Sequence, residues 1–201
     1  MYEVCVSSIS QIQDAISRGA HRVELCANLD VGGLTPPLFL VEEALTLKIP
    51  VNVIVRVHSD SFTPSTAQFT LMKEQITQLK QLGVNGVVFG VLTPENKIDA
   101  VKNKELVKLA GKMRKTFHMA FDQVENKSEA LETVIKLGFD TVLTRGGRGN
   151  AADNVQLIKE LVTQAKGRIC VMPGGGITAE NRDYIQEETG AEWMHGTKIM
   201  Q

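Results

Sequence analysis

The segment that decides the fold is GAHRVELC at residues 19–26, where a glycine ends a predicted helix and a strand follows. The same arrangement returns as GVNGVVFG at 83–90, GFDTVLTR at 138–145 and GAEWMHGT at 190–197. Glycine is favoured just past a helix because it has no Cβ to clash in the left-handed conformation. Recurrence at intervals of roughly 50 to 65 residues indicates a repeated βαβα unit, and four such units contain eight strands.

This count predicts an α/β fold of the (β/α)8 TIM-barrel type. The other strands are expected at 2–6, 51–57, 115–121 and 168–173, and the last strand at 193–199. Helical periodicity is found at 10–18, 37–47, 68–82, 103–112, 128–137, 154–166 and 179–188. Residues 1–201 contain no linker, so they are predicted to form a single domain.

The end of the chain predicts a modified barrel, because too few residues follow the last strand to form an eighth helix. The apolar groove that this leaves would be large for a monomer, which favours a homo-oligomer. A net charge of −1 gives no indication of a nucleic-acid partner. The absence of a long apolar run argues against a membrane, and three cysteines argue against a disulfide framework. We therefore expect a cytoplasmic protein.

The repeated segments also set which side chains face the barrel interior. The fourth residue after each glycine is apolar, namely Val23, Val87, Val142 and Met194. These residues are expected to face the helices, so the alternate positions face inward. The inward-facing polar residues are then Glu3, Cys5, Arg22, Glu24, Cys26, Asn52, Arg56, His118, Asp122, Thr141, Arg145, His195 and Thr197. Since such barrels are ordinarily filled with Val, Ile and Leu, this polar interior predicts a functional site.

Six segments in order along the chain resemble the CutC family. They are EVCV at 3–6, VELCANLDVGGLTP at 23–36, GVVFGVLTPENKID at 86–99, TFHMAFD at 116–122, TVLTRGG at 141–147 and VMPGGGITAEN at 171–181. The resemblance implies a modified TIM barrel in the cytosol, a role in copper homeostasis, and copper(I) binding by Cys5 and Cys26. Two positions depart from the family pattern: Val57 and His58 follow Arg56 in place of Pro-Arg, and Arg145 replaces a smaller residue.

Cys5 and Cys26 are the candidate metal ligands. They are predicted to lie inward on neighbouring strands, which are about 4.8 Å apart. Soft thiolates select copper(I), zinc or iron–sulfur chemistry, but the four closely spaced ligands of a structural zinc site are missing. The alternative is that both are small buried core residues. Cys170, across the barrel, is expected to belong to the core.

Glu24, Arg56, His118 and Asp122 are the candidate catalytic residues. Paired carboxylates separate their pKa values, a carboxylate raises the basicity of a neighbouring histidine, and an arginine binds carboxylate or phosphate. The same residue types, together with Glu3, would also form a purely structural ion-pair network. Glu3 and Glu24 fit that alternative better than Asp122 does, because both lie early in their strands.

A glycine-rich loop follows the seventh strand, and Gly174, Gly175, Gly176 and Asn181 are candidate anion-binding residues. Such loops present backbone amides to phosphate at a helix start, although a tight turn also needs glycine. Two hypotheses for function follow. The protein handles copper(I) through Cys5 and Cys26, or it is an enzyme that performs acid/base chemistry on a small anionic or phosphorylated molecule.

Overall fold

The computed structural model describes residues 1–201 and has eight parallel strands that alternate with seven α-helices. The strands are β1 Tyr2–Val6, β2 Arg22–Leu25, β3 Val51–Ile54, β4 Gly86–Phe89, β5 Arg114–Phe117, β6 Thr141–Thr144, β7 Cys170–Pro173 and β8 Met194–Gly196. The helices are α1 Ile9–Ser17, α2 Leu38–Leu45, α3 Thr66–Leu82, α4 Ala100–Ala110, α5 Lys127–Leu137, α6 Val155–Ala165 and α7 Arg182–Thr189. None of these helices has both the length and the apolar character needed to cross a membrane.

The strands form a nearly closed barrel in the order β7-β6-β5-β4-β3-β2-β1-β8. The predicted (β/α)8 TIM barrel is confirmed, and no helix follows β8. Strands β7 and β8 form no ladder with each other, and the residues after them are joined by a single parallel bridge between Thr178 and Lys198. The barrel therefore has one seam that backbone pairing does not close.

The predicted glycine stops are confirmed. Gly83, Gly138 and Gly190 end α3, α5 and α7 with φ values of 77°, 88° and 69°, in the left-handed region that favours glycine. The predicted division into two faces is confirmed as well, since the four apolar residues after the glycines all lie in the core between the strands and the helices. A separate small cluster of Cys26, Ile54 and Val88 lies inside the barrel.

Several predicted boundaries are wrong. The fifth strand ends at Phe117, and a 3-10 helix spans Met119–Gln123, because the His118 side chain accepts a hydrogen bond from the Ala120 backbone amide. Ala120 therefore packs in the outer core instead of the interior. Helix α5 is capped by Asn126, whose side chain accepts from the Glu129 amide, and Ser128 lies within the helix.

Asn103 of α4 fixes the segment that follows β4. Its side chain is fully buried, accepts a hydrogen bond from the Val91 amide at 3.1 Å and donates to the Val91 carbonyl at 2.7 Å. Backbone groups at this depth have no water to bind, so the side-chain amide of Asn103 is their only partner outside the main chain.

We expect Asn103→Leu to lower the free energy of unfolding by about 2 kcal/mol, because it leaves the buried Val91 amide without a partner, while the Val91 carbonyl keeps its bond from the Asp99 amide. Urea denaturation measures the change. The exposed neighbour on the same helix, Lys104→Ala, is the control and should change stability by less than about 0.5 kcal/mol. Equal losses in the two variants would contradict the assignment.

Candidate functional site

A cavity of about 230 Å³ opens at the carboxyl ends of the strands. Larger clefts of about 400 and 580 Å³ lie elsewhere; the first is lined in part by Cys170, and neither contains Cys5, Cys26 or a histidine. The lining of the inner cavity includes Cys5, Glu24, Cys26, Arg56, His118, Arg145 and His195. This is the end of the barrel where TIM-barrel proteins carry their functional residues.

The two candidate metal ligands meet at the floor of this cavity. The Sγ atoms of Cys5 and Cys26 lie 3.6 Å apart, with Cys26 buried and Cys5 partly buried. The contact follows from register, because Cys5 lies opposite Glu24 and Cys26 is the residue that follows β2. Hydrogen bonding from Cys26 lowers the pKa of Cys5 to about 6, and His195 adds to this against the effect of burial. The pKa of Cys26 is raised by its bond to the Cys5 sulfur and by burial.

Glu24 is adjacent to both thiols, and a carboxylate oxygen of Glu24 and the two sulfurs all lie within 4.8 Å of one another. Burial raises the pKa of Glu24 well above its ordinary value, and the neighbouring Cys5 charge raises it further. The carboxyl therefore holds a proton more readily than an exposed glutamate does. A thiol with a lowered pKa beside a carboxyl with a raised pKa gives the floor a soft ligand next to a group that holds a proton more readily.

His195 is the site residue that sequence reasoning missed, although its inward register was predicted. Its Nδ1 lies 2.9 Å from Glu3 and its Nε2 lies 3.3 Å from Glu24. Burial alone would lower the pKa of His195, but hydrogen bonds to Cys5 and Glu3 outweigh it and raise that pKa. Closure of the barrel would have predicted this residue, because β8 pairs with β1 and places His195 opposite Glu3.

Glu3 anchors the floor from below. It accepts hydrogen bonds from Arg22 Nε at 2.5 Å and from Asn52 Nδ2 at 2.9 Å. Burial alone would raise the pKa of Glu3, but His195 and Arg22 outweigh it and bring that pKa to about 2. Glu3 is thus the structural ion-pair member that the sequence suggested, whereas Glu24 faces the cavity.

His118 and Arg56 lie on the cavity wall with Phe62 between them. The Phe62 ring centroid is 4.9 Å from that of His118 and 4.9 Å from Arg56 Cζ. Burial lowers the pKa of His118 to about 3, and the Arg56 charge contributes. His118 is therefore a neutral imidazole whose Nδ1 is already used by the Ala120 amide.

Asp122 is set apart from the other catalytic candidates. Its carboxylate accepts from the Thr144 hydroxyl at 2.5 Å and from the Arg145 amide at 3.1 Å, and it is not part of the cavity lining. The 3-10 helix after His118 turns Asp122 towards the end of β6. The structure thus brings Glu24, Arg56 and His118 to one cavity and gives Asp122 to the neighbouring loop.

The glycine loop after β7 is packed against its surroundings. A Cβ on Gly174 would lie 2.7 Å from Leu143 Cδ1, and one on Gly176 would lie 2.7 Å from the Asn150 side chain. Asn181 accepts from the Thr178 amide and donates to the Gly176 carbonyl, so its amide holds the turn. These contacts account for the glycines by close packing, and an anion-binding role for Gly175 and its neighbours stays a prediction.

Comparison with known proteins agrees with the resemblance seen in the sequence. The sequence profile of the CutC family matches residues 1–200. The chain belongs to the CutC family. The mouse protein named copper homeostasis protein cutC homolog is 42% identical over 196 residues, which cover 97% of this chain and 72% of the mouse protein. The human homolog of the same name is 41% identical over the same shares.

A solved CutC structure has the same fold over its whole length. The copper homeostasis protein CutC from Streptococcus agalactiae superimposes with a TM-score of 0.95 at 33% identity, covering 99% of both chains. Deoxyribose phosphate aldolase from Aeropyrum pernix superimposes with a TM-score of 0.74 at 14% identity, covering 99% of this chain and 87% of the aldolase. At that identity the likeness supports only the barrel fold.

The buried neutral His118 should make the stability of this CutC family member depend on pH. Its pKa is about 3 in the folded state against 6.5 ordinarily, so between these values the unfolded state binds more protons. The contribution of His118 is therefore fully present above about pH 6.5 and is lost as the pH falls towards 3, by up to about 1.4 kcal/mol per pH unit.

His118→Asn tests this, because Asn retains an acceptor near the position of Nδ1 but does not titrate. Chemical denaturation between pH 4 and 7 should give a shallower dependence of unfolding free energy on pH for the variant. The control is His58→Asn, because the His58 side chain accepts no backbone hydrogen bond. His21→Asn is unsuitable as a control, since the exposed His21 accepts a hydrogen bond from the Tyr2 amide. An unchanged slope in His118→Asn would show that another group titrates.

Proposed function

We propose that this CutC family member acts in copper homeostasis by binding copper(I) through Cys5 and Cys26. The observation that carries the proposal is the 3.6 Å approach of the two sulfurs at the floor of the open cavity. Thiolates are the ligands that copper(I) prefers, and adjacent parallel strands hold these two at a fixed separation. The names of the mouse and human relatives support the same assignment.

The surrounding donors favour copper(I) over zinc. A structural zinc site uses four ligands, commonly thiolates and imidazoles. Here the third nearby donor is the Glu24 carboxyl, and both nitrogens of His195 already face glutamates. Two soft ligands and one hard, proton-holding neighbour suit a low-coordinate soft cation better than a tetrahedral one.

The thiols are also prepared for a monovalent cation. Cys5 is held towards its thiolate form, whereas Cys26 keeps its proton, so the pair has about one negative charge between its two sulfurs. Binding one copper(I) displaces the Cys26 proton, because metal binds to thiolate and not to thiol. The buried floor then exchanges one positive charge for another. A divalent ion would leave an extra charge in a site with little access to water.

Cys5→Ser and Cys26→Ser test the site, with Cys170→Ser as a matched control that removes a partly buried thiol across the barrel. In a copper(I) titration of reduced protein against a competing chelator, we expect one-to-one binding for the wild type and for Cys170→Ser. Each site variant should bind at least about 100-fold more weakly, because one soft ligand is lost. Copper(I) affinity that is unchanged in both Cys5→Ser and Cys26→Ser would refute the proposal.

A second candidate is acid/base catalysis on a small anionic or phosphorylated molecule. The observation that favours it is the combination of Glu24, Arg56 and His118 on one cavity, which two-thiolate metal binding does not require. A thermal-shift screen of small carboxylates and phosphates tests it. A compound that stabilises the wild type but not Glu24→Gln, and that the protein converts to a product, would support catalysis. We further propose a cytoplasmic location, where the thiols stay reduced, and homo-oligomer formation.

A further inference from the structure

The cavity has two chemically different ends. The floor carries the thiols with Glu24 and His195, whereas the mouth carries Arg56 from the end of β3 and Arg145 from the end of β6. Apolar side chains separate the two ends, namely Ile54, Phe62 and Leu143. A ligand that fills the cavity would therefore meet soft sulfur at one end and guanidinium at the other.

The Arg56 guanidinium forms no hydrogen bond with a carboxylate, although the charge of Asp60 acts on it. Its Nη1 donates to the carbonyls of Val31 at 2.9 Å and Gly33 at 3.3 Å, and its Nη2 donates to that of Ser59 at 2.8 Å. Its Nε is buried without any hydrogen-bond partner. These carbonyls hold the side chain between two loops but do not neutralise it, and arginine stays charged in proteins. A partly buried guanidinium with an unpartnered Nε and no hydrogen-bonded carboxylate can bind an anion.

Arg145 is only loosely engaged. Its Nε lies 3.6 Å from Asp122 Oδ2, and its Nη2 lies 3.2 Å from Met119 Sδ, while its side chain is 39% exposed. Asp122 is itself satisfied by Thr144 and the Arg145 backbone. The mouth thus has two guanidinium groups near two acidic side chains, Asp122 at 3.6 Å from Arg145 and Asp60 acting on Arg56, but neither guanidinium is hydrogen-bonded to a carboxylate.

We propose that copper(I) reaches the thiols as the complex of a small carboxylate-bearing thiol, whose carboxylate binds at Arg56 and Arg145. The inference rests on the proposed copper function and names the form in which the metal is delivered. The carrier sulfur brings copper to the floor while the carboxylate meets the arginines at the mouth. Bidentate pairing of arginine with carboxylate gives the carrier a fixed orientation.

The transfer is a ligand exchange in which no atom changes oxidation state. In the delivered complex, two carrier thiolates hold the copper(I). A copper–sulfur bond to Cys5 forms as the bond to the first carrier breaks, and that carrier leaves as a thiolate. A bond to Cys26 then replaces the bond to the second carrier, which leaves as a thiol after taking the Cys26 proton, so copper(I) enters the floor as the proton leaves it.

The test compares copper uptake from three carriers of similar size: 3-mercaptopropionate, 2-mercaptoethanol and cysteamine, which are anionic, neutral and cationic. Each is loaded with copper(I) under anaerobic conditions, mixed with reduced protein, and desalted at fixed times for metal analysis. We expect uptake from the anionic carrier to be at least about tenfold faster than from the neutral one. Uptake from the cationic carrier should be slowest, and salt should reduce the differences.

The carriers differ in their own copper affinity, so absolute uptake rates cannot be compared directly. For each protein we divide the uptake rate from the anionic carrier by that from the neutral carrier. The decisive quantity is this ratio in a variant divided by the same ratio in the wild type. This quotient should fall about tenfold in Arg56→Gln/Arg145→Gln and partly in Arg145→Gln alone. Arg148→Gln removes an equal charge from the same loop as Arg145 without lining the cavity, and should keep the wild-type ratio. Because Arg56 also joins two loops, Arg145→Gln and the carrier series on unaltered protein provide tests that do not depend on it.

Uptake from the neutral carrier, with no preference for the anionic one and no effect of the arginines, overturns this inference while the copper function stands. Failure to take copper from any carrier overturns both. A preference that survives in Arg56→Gln/Arg145→Gln but is lost in Arg148→Gln also overturns it, since the anion would then bind outside the cavity.

Discussion

The burial of Glu3 inside the barrel is the constraint on which the site depends. A carboxylate at 1% exposure must be neutralised by groups within the protein, and three neighbouring strands supply them. Arg22 comes from β2, Asn52 from β3 and His195 from β8, each within hydrogen-bond distance. Because β8 pairs only with β1, the contact of His195 with Glu3 also holds the strand that borders the open seam.

That network determines the protonation of the cavity floor. Glu3 and Arg22 neutralise each other, and His195 lies between Glu3 and Glu24, whose contacts favour its charged form. One further negative charge is therefore stabilised on the cavity side, and Cys5 and Glu24 compete for it. Hydrogen bonding lowers the pKa of Cys5, while burial raises the pKa of Glu24. The lowered pKa of Cys5 thus comes first from its hydrogen bond with Cys26 and next from His195, which Glu3 holds in place, while the Glu3 charge itself opposes it.

The sequence predicts the barrel and its inner face because both depend on short-range regularities. Glycine at 19, 83, 138 and 190 and the apolar residues that follow set the repeat and the register. The end of β5 depends instead on one side chain, since His118 accepts from the Ala120 amide and starts a 3-10 helix where apolar residues continue. For that reason Asp122 does not line the cavity. His195 is missed because its partner lies 192 residues away and becomes a neighbour only when β8 reaches β1.

The charged groups at the two ends of the cavity are suited to different ligands. When copper(I) binds at the floor it replaces a proton of equal charge. Metal binding therefore leaves the charge at the mouth unchanged. The free hydrogen-bonding capacity of Arg56 and the loosely engaged Arg145 is therefore present with and without the metal, and copper itself, a cation, does not bind to either guanidinium. A fixed positive charge beside the entrance would slow a free cation and attract an anionic complex. The mouth is thus suited to copper that arrives bound to a negatively charged molecule, and poorly suited to the bare ion.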